Sequence, residues 1–168
     1  MKLITTPDPI LKQAATDWIF GEDQTPELIE KDMIELMLMF NGIGLAANQV
    51  GLLKRVLVIK LQQQPEVTEP FAMFNPKILS TSEEEQTGQE GCLSFPDLWL
   101  DVKRPKSVDV EYFDKVGNQC IITLTDIDAR CFLHELDHLN GICFTDKVSQ
   151  MKLLLALKKQ RKNHGRTK

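Results

Sequence analysis

Apolar residues recur at helical spacing early in the chain. Ile29, Met33, Leu36, Met37 and Phe40 share one face, while Glu30, Lys31, Asp32 and Glu35 fall largely elsewhere. Thr25-Pro26-Glu27 supplies a start: a capping hydroxyl, a proline in the first turn and an acid near the positive end of the helix dipole. Asn41-Gly42 supplies a stop. The pattern predicts a helix packed by one face, with its methionines as core. The period then shortens. Residues 55–61 read as a strand and 62–70 as a loop, and two short strands, 71–74 and 78–79, flank Asn75-Pro76. Residues 81–89 read as an acidic, polar loop in which Glu83, Glu84 and Glu85 form a solvated run. Val108, Val110 and Tyr112 alternate with polar residues, and 114–118 turns the chain into a hairpin partner at 119–124. A second helix is predicted from Thr125 or Asp126 to about Leu139, stopped by Asn140-Gly141, and a third from Ser149 to about Lys162. A helix, many short strands and then two helices indicate an α+β domain with segregated elements rather than alternating βαβ units. With no internal repeat and no linker, residues 1–168 read as one domain, 149–168 forming a basic helix and tail.

Length and composition narrow this picture. A chain of 168 residues suits a single hydrophobic core. No apolar run approaches the ~20 residues that span a bilayer; the candidate at 153–157 is short and neighbours lysines. The opening MKLITTPDP breaks any signal-peptide apolar stretch with prolines and Asp8. The expectation is a cytoplasmic or organellar protein away from membranes. Residues 1–150 hold 13 Lys and Arg against 24 Asp and Glu, whereas 151–168 hold seven basic residues and no acid. Such a tail either meets nucleic acid or another acidic surface, or is a solvated helix end. The four cysteines do not call for disulfides in a chain of this size. Cys120 and Cys143 read as small buried hydrophobes; Cys92 and Cys131 need separate treatment.

The strongest chemical signal is His134-Glu135-Leu136-Asp137-His138. On a helix, residues four apart share a face, so both imidazoles reach one ion. Glu135 projects about 100° away from His134, close to the ion without ligating it, where a carboxylate takes a proton from water. Apolar neighbours, Phe132, Leu133, Leu136 and Leu139 among them, bury the segment, and it holds two of the chain's three histidines. A catalytic zinc-type site uses three protein ligands and keeps one position open. Downstream the supply is poor: Asp146 lies in a turn and His164 in the basic tail. Upstream, Cys131 shares the helix face of His134, but three ligands from one straight helix surround an ion badly. Cys92 lies in Gly88-Gln89-Glu90-Gly91-Cys92-Leu93-Ser94, where backbone approaches closely. Spacing favours Cys92 without deciding the matter. A thiolate with two imidazoles suits Fe(II), Zn or Ni. A third cluster, 42–49 (GIGLAANQ), is rich in small residues and ends in the amide of Gln49; alone it also reads as a tight turn entering a strand.

In this order, GIGLAANQ at 42–49, EGCLS at 90–94 and HELDH at 134–138 resemble the three signature segments of the peptide deformylase family, and PDPIL at 7–11 resembles its opening. The likeness runs from about residue 3 to 160. It implies an α+β fold of short, mostly antiparallel strands around a central helix carrying HELDH. It implies removal of the formyl group from N-terminal formyl-methionine of new polypeptides. By this resemblance Cys92, His134 and His138 bind one divalent metal, Fe(II) above all, with Zn or Ni as alternatives; Cys131 is then a packing residue. Glu135 is general base and later acid, and the Gln49 amide and Leu93 backbone N–H steady the oxyanion. The backbone near Gly44 pairs with the substrate as an added strand. Ile43, Glu90, Ile127 and Cys131 match the methionine pocket, and Arg104 and Asp137 a structural ion pair. Trp99 and Gly88 stand where relatives vary. The basic terminal helix resembles those that dock on the ribosome. Two other readings compete: a zinc peptidase, which expects a downstream third ligand that the sequence lacks, and a non-catalytic metal module that binds N-termini or ribosomes, whose ion would be closed off by a fourth protein ligand.

Overall fold

The structure, a computed structural model, describes residues 1–23 and 25–164. Arg166 and Lys168 of the basic tail lie outside the described residues, as does the side chain of His164.

Helix α1 spans Pro26–Met39 and buries Ile29, Met33, Leu36 and Met37. Thr25 sits at the N-cap without a side-chain cap bond. At the other end Asn41 adopts φ 56°, with Asn41 N–H donating to Leu38 O at 3.0 Å and Gly42 N–H to Met37 O at 2.9 Å. This closes the helix as a Schellman motif built on asparagine. Phe40, placed on the predicted face, is the C-cap and stays 46% exposed.

Strands β1 (Gly44–Ala46), β2 (Val56–Ile59), β3 (Phe71–Thr81), β6 (Ser107–Phe113) and β7 (Gln119–Thr125) form an antiparallel sheet in the order β1-β2-β3-β6-β7. The two short strands expected around Asn75-Pro76 are one strand, β3, whose register with β6 slips between Phe74 and Lys77. Proline cannot donate to a ladder, and Asn75 at φ 49° turns its amide to Trp18 instead. The polar loop expected at 81–89 is mostly strand: β4 (Glu85–Cys92) pairs with β5 (Phe95–Pro105) as a separate antiparallel ribbon. Its apolar alternation resides in the partner, where Leu98, Leu100 and Val102 point inward between exposed Trp99, Asp101 and Lys103.

Helix α2 (Asp126–Leu139) lies between the sheet and the ribbon and is buried continuously from Asp128 to Leu139. It packs against β1, β2, β6 and β7 on one side and β5 on the other. Met33, Met37, Val58, Phe74, Phe132 and Leu136 belong to the main core. A second core joins Leu98, Leu100, Val102 and Phe144 to helix α3 (Gln150–His164) through Leu153, Ala156 and Leu157. Not all four leucines of α3 anchor it, because Leu154 and Leu155 are 49% and 58% exposed. Lys158, Lys159, Arg161 and Lys162 are exposed, and Gln160 Nε2 donates to Pro96 O at 2.6 Å. Among the described residues no helix is long and apolar enough to cross a membrane. The four cysteines are free thiols. Cys143 is buried, but Cys120, read as buried, is only half-buried at the edge strand β7.

Candidate active site

Helical periodicity sets His134 and His138 one turn apart on α2, with ring centroids separated by 5.0 Å. Cys92 reaches them from the end of β4, its Sγ 3.2 Å from His138 Nε2. One donor atom from each of the three lies within 4.8 Å of the others. Cys131, the rival thiol, points elsewhere: its Sγ donates to Ile43 O at 3.4 Å, and burial keeps it protonated.

Glu90 fixes the His134 imidazole. Its Oε2 lies 3.0 Å from His134 Nδ1, which leaves Nε2 for an ion. Arg104 grips the same carboxylate through Nε at 2.7 Å and Nη2 at 2.9 Å, and Arg130 Nη1 adds a bond of 2.8 Å. Burial raises the pKa of Glu90, but these partners outweigh it and bring the carboxyl down to about 2. Arg104 Nη1 also donates to Asp137 at 2.6 Å, the expected ion pair. Glu90 borders the cleft, yet its carboxylate is turned into this network, not into a substrate pocket.

The donor set fits a divalent cation. Among the described residues it offers one soft and two borderline donors without a fourth protein ligand. Burial opposes the charged form of His134, yet hydrogen bonds to Cys92 and Glu90 hold its pKa up at about 10. His138 Nδ1 is buried without a partner, and burial favours the neutral imidazole that ligates.

Beside the three ligand candidates stands Glu135, 5% exposed, with Oε2 buried and unpartnered. Burial first, then the charge of Glu90, pushes its pKa up to about 7 against the pull of His134. Gly44 makes room for it, since a Cβ there would meet Glu135 Oε1 and Cys131 Sγ at 2.6 Å. Gln49 is 1% exposed; its Oε1 accepts from Ala46 N–H at 2.7 Å. Its Nε2 donates to Ser94 Oγ at 3.0 Å and lies 3.5 Å from Cys92 Sγ. Leu93 occupies the turn from β4 to β5. These groups open onto a cleft of about 860 Å³ that Ile43, Gly44, Ile127 and Cys131 also line. Phe40 and Trp99 border it as well, Trp99 being 58% exposed and packed over Gly91.

The sequence reading thus named the residues that converge here, but missed Arg130 and the electrostatic work of Glu90. A signal for Arg130 existed: a cation inside the apolar run 129–133, four residues before His134 and so on its face.

Comparison with known proteins accords with this geometry. Residues 1–153 match the polypeptide deformylase family. A peptide deformylase of Rhizobium meliloti is 41% identical over 150 residues, covering 89% of this chain and 86% of the relative. One from Finegoldia magna is 46% identical, covering 84% and 85%. The crystal structure of a Synechococcus elongatus peptide deformylase bound to actinonin superposes with a TM-score of 0.86 at 39% identity, covering 95% of this chain and 86% of that one. With the fold, the three segments and the match in agreement over nearly the whole chain, this protein belongs to the polypeptide deformylase family.

Proposed function

We propose that the protein hydrolyses the N-terminal formyl group of formyl-methionyl peptides, releasing formate, with one divalent ion held by Cys92, His134 and His138. The observation that carries this is the buried Glu135 carboxylate, its Oε2 unpartnered among the described residues, beside a ligand set of one thiol and two imidazoles at the wall of the cleft. The ion is Fe(II), with Zn or Ni able to replace it.

When bound, such an ion acidifies water and polarises the formyl carbonyl. Glu135 accepts the proton of the attacking water, and its buried carboxylate stays close enough to return it. One Gln49 Nε2 proton is committed to Ser94 Oγ; the other is directed toward Cys92 and donates to the developing oxyanion together with the Leu93 backbone N–H. Glu135 then delivers its proton to the leaving amine. Edge strand β1 takes the substrate backbone alongside Gly44, and Ile43, Ile127 and Cys131 receive the methionine side chain. The exposed cations at the end of α3 approach the ribosome, where nascent chains emerge, so the site of action is the cytoplasm or an organelle that starts synthesis with formyl-methionine.

A formate-release assay on formyl-Met-Ala-Ser, run anaerobically with Fe(II) restored, tests the reading. Formate release from the formyl peptide, with no cleavage of its acetyl counterpart, is expected. Cleavage of internal peptide bonds without formate would make the protein a peptidase instead. An intact formyl peptide with full metal content would make it a binding module.

A further inference from the structure

Gln49 serves the proposed reaction through one amide proton, and its amide serves only one way round. Turned over, it would present Oε1 to the developing oxyanion in place of an N–H. Two backbone groups with no choice of role set its orientation. At one end Ala46 N–H can only donate, so the Gln49 atom that meets it at 2.7 Å is Oε1. At the other end Ile4 O can only accept, so Ser94 Oγ, 2.8 Å away, places its single proton there. Ser94 Oγ is then the acceptor for Gln49 Nε2 at 3.0 Å. Both ends demand the same orientation of the amide. The second Nε2 proton is left over on the side of Cys92.

Ser94 follows Leu93 in the turn from β4 to β5 and is fully buried. The N-terminal segment is fastened to it and to Gln49 alike. Ile4 N–H donates to Gln49 O at 2.8 Å, and Thr6 N–H donates to Ser94 O at 2.9 Å. Leu3 packs against the main core and, with Thr5, lines the cleft. Residues 4–6 thus hold Gln49 and Ser94 at a fixed spacing, although 45 residues separate the two in sequence. Without Ser94 Oγ, the amide would keep only its bond to Ala46 and could rotate about that single tether.

We infer that Ser94, anchored on the backbone of residues 4–6, is a positioning residue for the hydrolysis: it holds the Gln49 amide in the one orientation that offers an N–H to the oxyanion. The N-terminal segment is thereby part of the apparatus that receives the oxyanion. The inference rests on the formyl-peptide reading above, and it gives Ser94 no contact with the substrate.

The test is a double-mutant cycle on the metal-loaded full chain, with formyl-Met-Ala-Ser as substrate. Ser94→Ala should lower kcat about tenfold, the value of one neutral hydrogen bond. KM should stay within about twofold, because the oxyanion exists only in the transition state. Gln49→Ala should lower kcat by about 10²–10³-fold, the cost of one oxyanion donor. Adding Ser94→Ala to Gln49→Ala should change kcat by less than about twofold, since no amide remains to be positioned. A spectroscopic readout accompanies the kinetics. In zinc-loaded, 15N-labelled protein the two Gln49 side-chain amide protons should resonate well apart, the one bonded to Ser94 downfield, and Ser94→Ala should draw them together. Should Ser94→Ala fail to fold, Ser94→Cys keeps the shape with a weaker acceptor and runs the same cycle. An unchanged kcat in the folded single variant, an equal loss in both backgrounds, or a loss of metal that matches the loss of kcat overturns the inference and leaves the functional reading standing. Wild-type inactivity on the formyl peptide overturns both.

Discussion

At the scale of single residues, Glu135 separates chemistry from ligation. It neighbours His134 in sequence, so it points away from the two-imidazole face while its carboxylate stays within the same buried pocket. Glu135→Gln keeps shape and removes the proton acceptor. The expected loss in kcat/KM is at least about 10⁴-fold, the upper end for general acid–base catalysis, with metal content and Tm unchanged. A variant that loses its metal would make Glu135 a ligand. Tyr112 offers an independent check on the packing, because it is the only tyrosine. Burial, then the charge of nearby Cys120, pushes its phenol up to about 12 from an ordinary 10.0. A folded pKa above the unfolded one adds stability that is complete below pH ~10 and disappears as pH rises through about 12. Absorbance at 295 nm should titrate near the higher value while the protein remains folded, and Tm should fall across that window. A midpoint near 10 would mean that the ring is solvated.

Between elements, Arg104 is the tie that matters most. From β5 it holds Glu90 on β4 and Asp137 on α2, all three being nearly buried. Arg104→Met should destabilise the fold by about 3 kcal/mol, because two buried carboxylates lose a partner while Arg130 and Lys147 retain partial hold on them. Urea unfolding measures this, and a change under about 1 kcal/mol would show that the remaining cations suffice. Helix α3 behaves differently. It rests on the ribbon through Leu153, Ala156 and Leu157, and Gln160 ties it to Pro96 at the cleft border. Replacing Lys158, Lys159, Arg161 and Lys162 with glutamine should leave activity on short peptides intact. Ribosome pelleting should weaken, and the slope of log K against log salt should become shallower by about three. Binding that ignores both the substitutions and the salt would remove α3 from any ribosome contact.

For the molecule as a whole, the three candidate ligands add a further link between layers already tied by the Arg104–Asp137 and Arg130–Glu90 ion pairs, since Cys92 comes from the ribbon and both histidines from the central helix. Bound metal therefore stabilises the assembled form by mass action, about 4 kcal/mol when free ion exceeds Kd a thousandfold. Chelation should lower Tm markedly, and Cys92→Ala should abolish the difference between chelated and loaded protein. Equal Tm with and without chelator in the wild type would count against a site shared between layers.

Much of this protein was legible from local chemistry. The helix over 26–39, the 107–125 hairpin and the helix over 126–139 followed from apolar period and stop signals, because each carries its own pattern. His134, Glu135 and His138 were legible because helix geometry alone fixes their relative directions. Residue spacing left Cys92 and Cys131 unresolved, and the family likeness chose between them. What only the tertiary structure decided lies where a residue's role depends on a distant partner. Strand β4 is polar and forms because β5 supplies both backbone partners and apolar face. Phe40, read as the end of a core face, is left exposed at the border of the cleft. Glu90 became an anion held by two guanidiniums, and Arg130 a wall of the cleft, through contacts spanning 14 and 40 residues of sequence. Periodicity records which way a side chain points from its own backbone; what it meets there is decided by how the layers close.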